Sequence, residues 1–173
     1  MRARGWLLWA SVGVIALCST PLRHGPARLV YNATPSVAPG WYLIEAPERA
    51  AAPRVGAVVL VRLPSEAARL AAQRGYLPAT LPVLKRVAAA APQLVCTDAH
   101  GLHIDGVRKT SVHERDGQGR ALPAWRQCRP LMADEIFLLG DAYATSFDSR
   151  YFGPVDASLV VGEARPLWTW GIP

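Results

Sequence analysis

Proline and glycine interrupt this chain so often that long helices have little room. Its 173 residues include 15 prolines and 14 glycines. The apolar runs between them are short and rich in β-branched or aromatic residues, as in Trp41-Tyr42-Leu43-Ile44, Val58-Val59-Leu60-Val61 and Glu135-Ile136-Phe137-Leu138-Leu139. Such punctuation favours strands joined by turns. Further strands are expected around Val30, over Val83–Val87 and Leu94–Thr97, and over Leu102–Ile104 and Ser158–Ala164. Asp98-Ala99-His100-Gly101 turns a hairpin, and Asp105-Gly106 marks another turn. One helix is expected over Ser65–Gly75, with Ser65 as its N-cap and Gly75 as its stop. Val107 to Pro130 is polar, centred on Gly117-Gln118-Gly119, and reads as a surface excursion. The fold class is therefore mainly β: an antiparallel, partly closed domain with one short helix. About half of the residues, 51%, are apolar, so a core forms without help from metal.

The amino-terminal end has a different character. Trp6 to Leu22 is an apolar stretch without a charge, preceded by Arg2 and Arg4 and followed by Arg23, His24 and Arg28. It is just long enough for a transmembrane helix with its amino terminus in the cytoplasm. A cleavable signal peptide begins the same way, but Leu17-Cys18-Ser19-Thr20 matches a cleavage site poorly. The reading is a retained anchor over residues 1–28 and a folded domain over 29–173, outside the cytoplasm. Cys18 falls in the apolar stretch. Cys96 and Cys128 flank the polar excursion and can pair as a disulfide in an oxidising compartment; two free thiols are the alternative. Trp41 and Tyr42 follow closely enough to dip into a membrane interface, or else belong to the core. The net charge of +6 is scattered, with no basic run and no aromatic interleaving, which argues against nucleic-acid binding.

Two residues suggest chemistry. Ser36 lies in Thr34-Pro35-Ser36-Val37-Ala38-Pro39-Gly40, where the chain must turn and backbone N–H groups are left to face an oxyanion. A serine hydroxyl needs a base. His24, His100, His103 and His113 have no evident scaffold for that task. Lys85, in Val83-Leu84-Lys85-Arg86-Val87, does: alternation puts it on one face with Val83 and Val87, and burial lowers the pKa of an amine towards working pH. Taken singly, Ser36 is a turn serine and Lys85 a lysine snorkelling at a sheet edge. No His/Cys spacing suits a metal, no glycine loop suits a phosphate, and no cofactor is indicated.

A third stretch changes the weight of these two. Gly140-Asp141, four residues, Ser146, one residue, then Asp148-Ser149-Arg150 resembles the sequence box of the type I signal peptidase family. The continuation Tyr151-Phe152-Gly153-Pro154 is similar to its conjugative-transfer branch, the TraF-like pilin-processing peptidases. The resemblance runs from the apolar stretch to about Arg165. It implies the signal-peptidase type of β-domain behind a single-pass anchor in the bacterial inner membrane, with the domain in the periplasm. It implies Ser36 as nucleophile and Lys85 as base, with the Thr34 hydroxyl and the Ser36 N–H forming the oxyanion hole. Ser146 would hydrogen-bond the lysine amine, Asp148 and Arg150 would pair to hold the loop, and Asp141 would brace it. Ala142-Tyr143 replaces the Asn-Arg common in the family. Small apolar surface around Val37 and Leu84 would select a small side chain before the cut. The implied partner is a precursor polypeptide, a conjugative pilin in the favoured reading, cut and in some relatives cyclised. A general leader peptidase and a non-enzymatic scaffold of a secretion apparatus are the competing readings.

Overall fold

The computed structural model describes residues 28–46, 53–141 and 146–171. The expected anchor over Trp6–Leu22, with Cys18, lies outside them. No described helix is long and apolar enough to cross a membrane.

Eleven strands form two antiparallel sheets among the described residues. The larger contains β1 (Arg28–Asn32), β2 (Gly40–Glu45), β3 (Val58–Val61), β4 (Val83–Ala90), β9 (Glu135–Leu139), β10 (Val155–Asp156) and β11 (Val160–Thr169). Its order is β1-β2-β11-β3-β4-β9-β10. The smaller contains β5 (Leu94–Asp98), β6 (Gly101–Ile104), β7 (Val107–Thr110) and β8 (Cys128–Pro130), in the order β7-β6-β5-β8. Two helices accompany them: α1 (Ser65–Gln73) and the single turn α2 (Ser149–Phe152).

The residues explain the layers. Val59, Val61, Val87, Ile136, Leu138 and Val155 form one apolar cluster on the larger sheet. Tyr42, Ile44, Leu60, Leu84 and Ala164 form a second. Phe137 and Ala89 from the larger sheet meet Val95, Leu102 and Ile104 from the smaller, which joins the two sheets. β4 feeds all three clusters: Leu84 enters the second and Val87 the first on opposite faces, and Ala89 enters the third beyond a register shift that follows Val87.

Several expectations are corrected. Ser65 does not cap α1: the helix starts at Ser65 itself, Pro64 takes the cap position, and no side chain caps it. Gly75 does end it, with φ +68° and its N–H on the Ala72 carbonyl at 3.0 Å. The last strand begins at Val160, since Ala157–Leu159 is a 3-10 turn whose start is capped by Asp156, and it runs on to Thr169. This length lets β11 pair with β3 at its start and with β2 beyond. Tyr42 is a core residue at 2% exposure, whereas Trp41 is exposed and packs its ring on Tyr31 at 5.1 Å. The polar excursion is not all surface loop. It opens with β7, closes with β8, and lays Trp125 against Phe137 at 5.4 Å.

Cys96 and Cys128 sit opposite each other in the β5–β8 pair and are joined by a disulfide. It closes a loop with a sequence separation of 32. In the chain-entropy picture such a loop contributes about 3–4 kcal/mol by restricting the unfolded chain. Urea unfolding of the Cys96→Ser/Cys128→Ser variant should show a loss of that order, and reductant should have no further effect on it.

Candidate active site

One buried side chain shapes the turn after β1. Asn32 accepts on Oδ1 from the Thr34 N–H at 3.1 Å and the Thr34 hydroxyl at 2.9 Å. Its Nδ2 donates to the carbonyls of Thr34 at 2.8 Å and Val37 at 3.1 Å. The Tyr42 hydroxyl donates to the Ala38 carbonyl at 2.6 Å and fixes the exit of the turn. Ser36 is thereby held half-buried, with its Oγ 3.4 Å from Thr34 Oγ1. The sequence reading missed Asn32. Its signal was an amide at the end of an apolar strand, two residues before a Thr-Pro turn.

Lys85 lies in mid-sheet at 4% exposure. Its ammonium donates to Ser146 Oγ. Burial pushes its pKa down from 10.5 to about 8; the Asp148 carboxylate opposes the shift and the Arg150 guanidinium adds to it. Ser146 is in turn positioned through its carbonyl, which accepts from Arg150 Nη2 at 2.9 Å.

Asp148 and Arg150 are a fully buried, two-pronged ion pair, at 2.7 and 2.8 Å. Both ends have further partners. Asp148 accepts from the Gly140 N–H at 3.0 Å, and Arg150 donates to the Ser111 carbonyl at 3.0 Å. The intervening Ser149 accepts the Leu138 N–H on its Oγ at 3.0 Å. The box is thus stitched to the end of β9 from several sides.

Gly140 stands where the pieces converge. A Cβ there would come within 2.5 Å of Ser146 Cβ and Oγ and 3.2 Å of the Ser36 carbonyl oxygen, so no larger residue fits without displacing one of the two serines. The next N–H, of Asp141, donates to that Ser36 carbonyl at 2.7 Å. The Asp141 carboxylate pairs with Arg86, which also donates to the Gly56 carbonyl at 2.6 Å. Asp141 therefore ties the box both to the serine turn and to the residue beside Lys85.

Ser36, Thr34, Lys85 and Ser146 line one cavity of about 430 Å³, with Leu60 and Leu84 among its apolar walls. Val37, expected at the substrate, is not one of those walls: it is 1% exposed and packs behind them with Leu60 and Leu84. It faces the core because the Asn32 bonds curl the turn so that Ser36, not its neighbour, looks outwards. None of the described histidines lines this cavity. Among the described residues, no three His, Cys, Asp or Glu side chains gather as a metal site.

The family model for signal peptidase, peptidase S26, matches residues 3–170 of the chain. A conjugal transfer protein TraF of Agrobacterium tumefaciens is 37% identical over 98% of this chain and 97% of its own length. A probable conjugal transfer protein TraF of Sinorhizobium fredii is 34% identical over 80% of this chain and 76% of its own. A plasmid transfer protein TraF of Escherichia coli is 37% identical over 51% of each.

Two measurements test this geometry. Asp148→Asn strands the Arg150 charge in the interior, so unfolding should become easier by about 3–5 kcal/mol. NMR titration of the Lys85 ammonium should give a midpoint near 8. Between that value and 10.5 the unfolded chain binds the extra proton, so stability should rise with pH across this window.

Proposed function

Because the chain belongs to the signal peptidase S26 family, we propose that it is a membrane-anchored serine endopeptidase acting through Ser36 and Lys85 on an exported precursor. One observation carries the reading: a buried lysine amine, its pKa lowered to about 8, shares a cavity with the Ser36 hydroxyl. An amine with that pKa is neutral often enough near neutral pH to accept a proton. Ser36 Oγ attacks the scissile carbonyl and its proton passes to Lys85. The Ser36 N–H and the Thr34 hydroxyl, turned from Asn32, donate to the oxyanion. Collapse breaks the C–N bond, Lys85 returns the proton to the leaving amine, and an ester on Ser36 remains. Water then hydrolyses the ester, or a second amine takes it and closes a new peptide bond.

Ser146 keeps the lysine amine in place, and Asp148, Arg150 and Asp141 keep Ser146 and the serine turn in register. The substrate binds extended. Among the described strands β1 pairs only with β2, and Val83 to Lys85 of β4 pair only with β3, which leaves backbone edges on both sides for an added strand. Leu84, in the wall beside Lys85, limits the side chain next to the cut to a small one.

The relatives' names place those proteins in conjugal and plasmid transfer. By similarity the precursor here is a pilin subunit of a conjugation apparatus. The working side is the periplasmic face of the inner membrane, with residues 1–28 as anchor and 29–173 as the domain; the Cys96–Cys128 disulfide suits that compartment.

Co-expression with the pilin precursor tests the whole reading. Ser36→Ala and Lys85→Arg should each cut processing on the order of 10⁴-fold while leaving the fold intact. For the unaltered protein the rate should climb with pH and level off above about 8. Normal maturation with Lys85→Arg, whose guanidinium stays protonated, sinks the mechanism. Normal maturation with Ser36→Ala leaves only a scaffold.

A further inference from the structure

The middle of the polar excursion is a tight hairpin, Glu114 to Leu122, closed by an Arg115–Ala121 bridge and by the Leu122 N–H on the Glu114 carbonyl at 2.8 Å. Gly117 to Gly119 at its tip are exposed, but Asp116 and Arg120 on either side are tied down. Asp116 accepts from the Tyr76 hydroxyl at 2.5 Å and from Arg120 Nε at 2.7 Å. Two backbone N–H groups, of Gln118 and Arg120, each donate to it at 2.9 Å, and Arg74 stands 3.7 Å away. Arg74 also donates to the Ala121 carbonyl at 2.6 Å. The hairpin is latched onto the end of α1, and Asp116, Gly117 and Leu122 line the same cavity as Ser36 and Lys85.

We infer that this latched hairpin closes the far end of the cavity into a subsite for one bulky aliphatic side chain of the substrate, several residues from the cut. The inference rests on the peptidase reading and adds a specificity element to it. The distance follows from the strand. Pro82, Val83 and Leu84 lead from Lys85 to Leu81, all lining the cavity. At about 3.3 Å per residue that end is roughly four substrate residues from the bond to be broken. The character follows from the walls: Leu63, Leu77, Leu81, Leu122, Tyr76 and Phe147. Asp116 does not make the pocket cationic-selective, because its carboxylate is already occupied by four donors from this chain. The latch also reaches the catalytic side, since the Tyr76 ring packs on Phe147 at 5.5 Å, the neighbour of Ser146.

The test uses the full chain with Ser36→Ala, so that binding is read without cleavage. Alanine-based peptides carrying a single Leu or Lys, scanned along the sequence, are titrated by fluorescence anisotropy. Leu at one register should bind about tenfold tighter than the all-alanine peptide, and Lys at that register no tighter than alanine. Tyr76→Phe with Asp116→Asn should bring the Leu-to-Ala ratio towards one. Leu122→Trp, which fills the pocket, should make Leu the weaker ligand. Equal binding of Leu and Ala at every register, a preference for Lys, or a ratio untouched by both changes overturns the inference. The two readings fail separately: if the chain retaining Ser36 cuts none of these peptides or the pilin precursor while the preference holds, the peptidase reading falls and the subsite stands. If the precursor is cut and no preference exists, the subsite falls alone.

Discussion

The Asp148–Arg150 pair is the interaction on which the site depends. Two charges at 1% exposure or less are expensive to bury unless nearly every lone pair and N–H is used. Here the surplus bonds are spent on backbone: the Gly140 N–H, the Ser146 carbonyl and the Ser111 carbonyl. Those three groups belong to the end of β9, the box and the polar excursion. Ser146 to Asp148, which belong to no strand or helix, are thereby tied to the end of β9, to the start of α2 and to the excursion. Ser146 inherits this rigidity and passes it to the amine of Lys85.

A second constraint is volume. Ser146 and the Ser36 carbonyl both crowd the space a Cβ of residue 140 would take, and only a glycine there leaves room for them. The Asp141 N–H then locks the Ser36 carbonyl from behind. Burial of Lys85 disfavours its charged form, and the same burial makes its amine basic in a useful range. Packing and chemistry are in this sense one property of β4, which buries the lysine and still leaves it on the wall of the cavity.

Much of this was legible in the sequence, for identifiable reasons. The strands could be read because β-branched runs between turn residues leave few alternatives, and the alternation of Val83, Lys85 and Val87 is a local property. The disulfide pair could be named, although only the β5–β8 register brings the two cysteines together. The role of Asn32 was hidden because it depends on where four backbone groups point after the turn. Val37 misled because adjacency to Ser36 in sequence says nothing about which of the two faces inwards. The excursion misled in another way. Asp116, Arg120 and Arg74 look like solvated surface, yet they satisfy one another across more than forty residues of chain, and polarity alone does not distinguish these cases.

The distance along the chain between the stitched parts has a consequence in time. Ser36 is synthesised more than a hundred residues before Arg150, whose side chain completes the scaffold under Ser146. At ribosomal speeds of about 5–20 residues per second, the interval is on the order of ten seconds. During it the serine turn exists without the box that locks its carbonyl, and Lys85 without the hydroxyl that holds its amine. Until Arg150 has emerged, the ion pair that fixes Ser146 beside the Lys85 amine cannot form, so the two ends of the site assemble together and late.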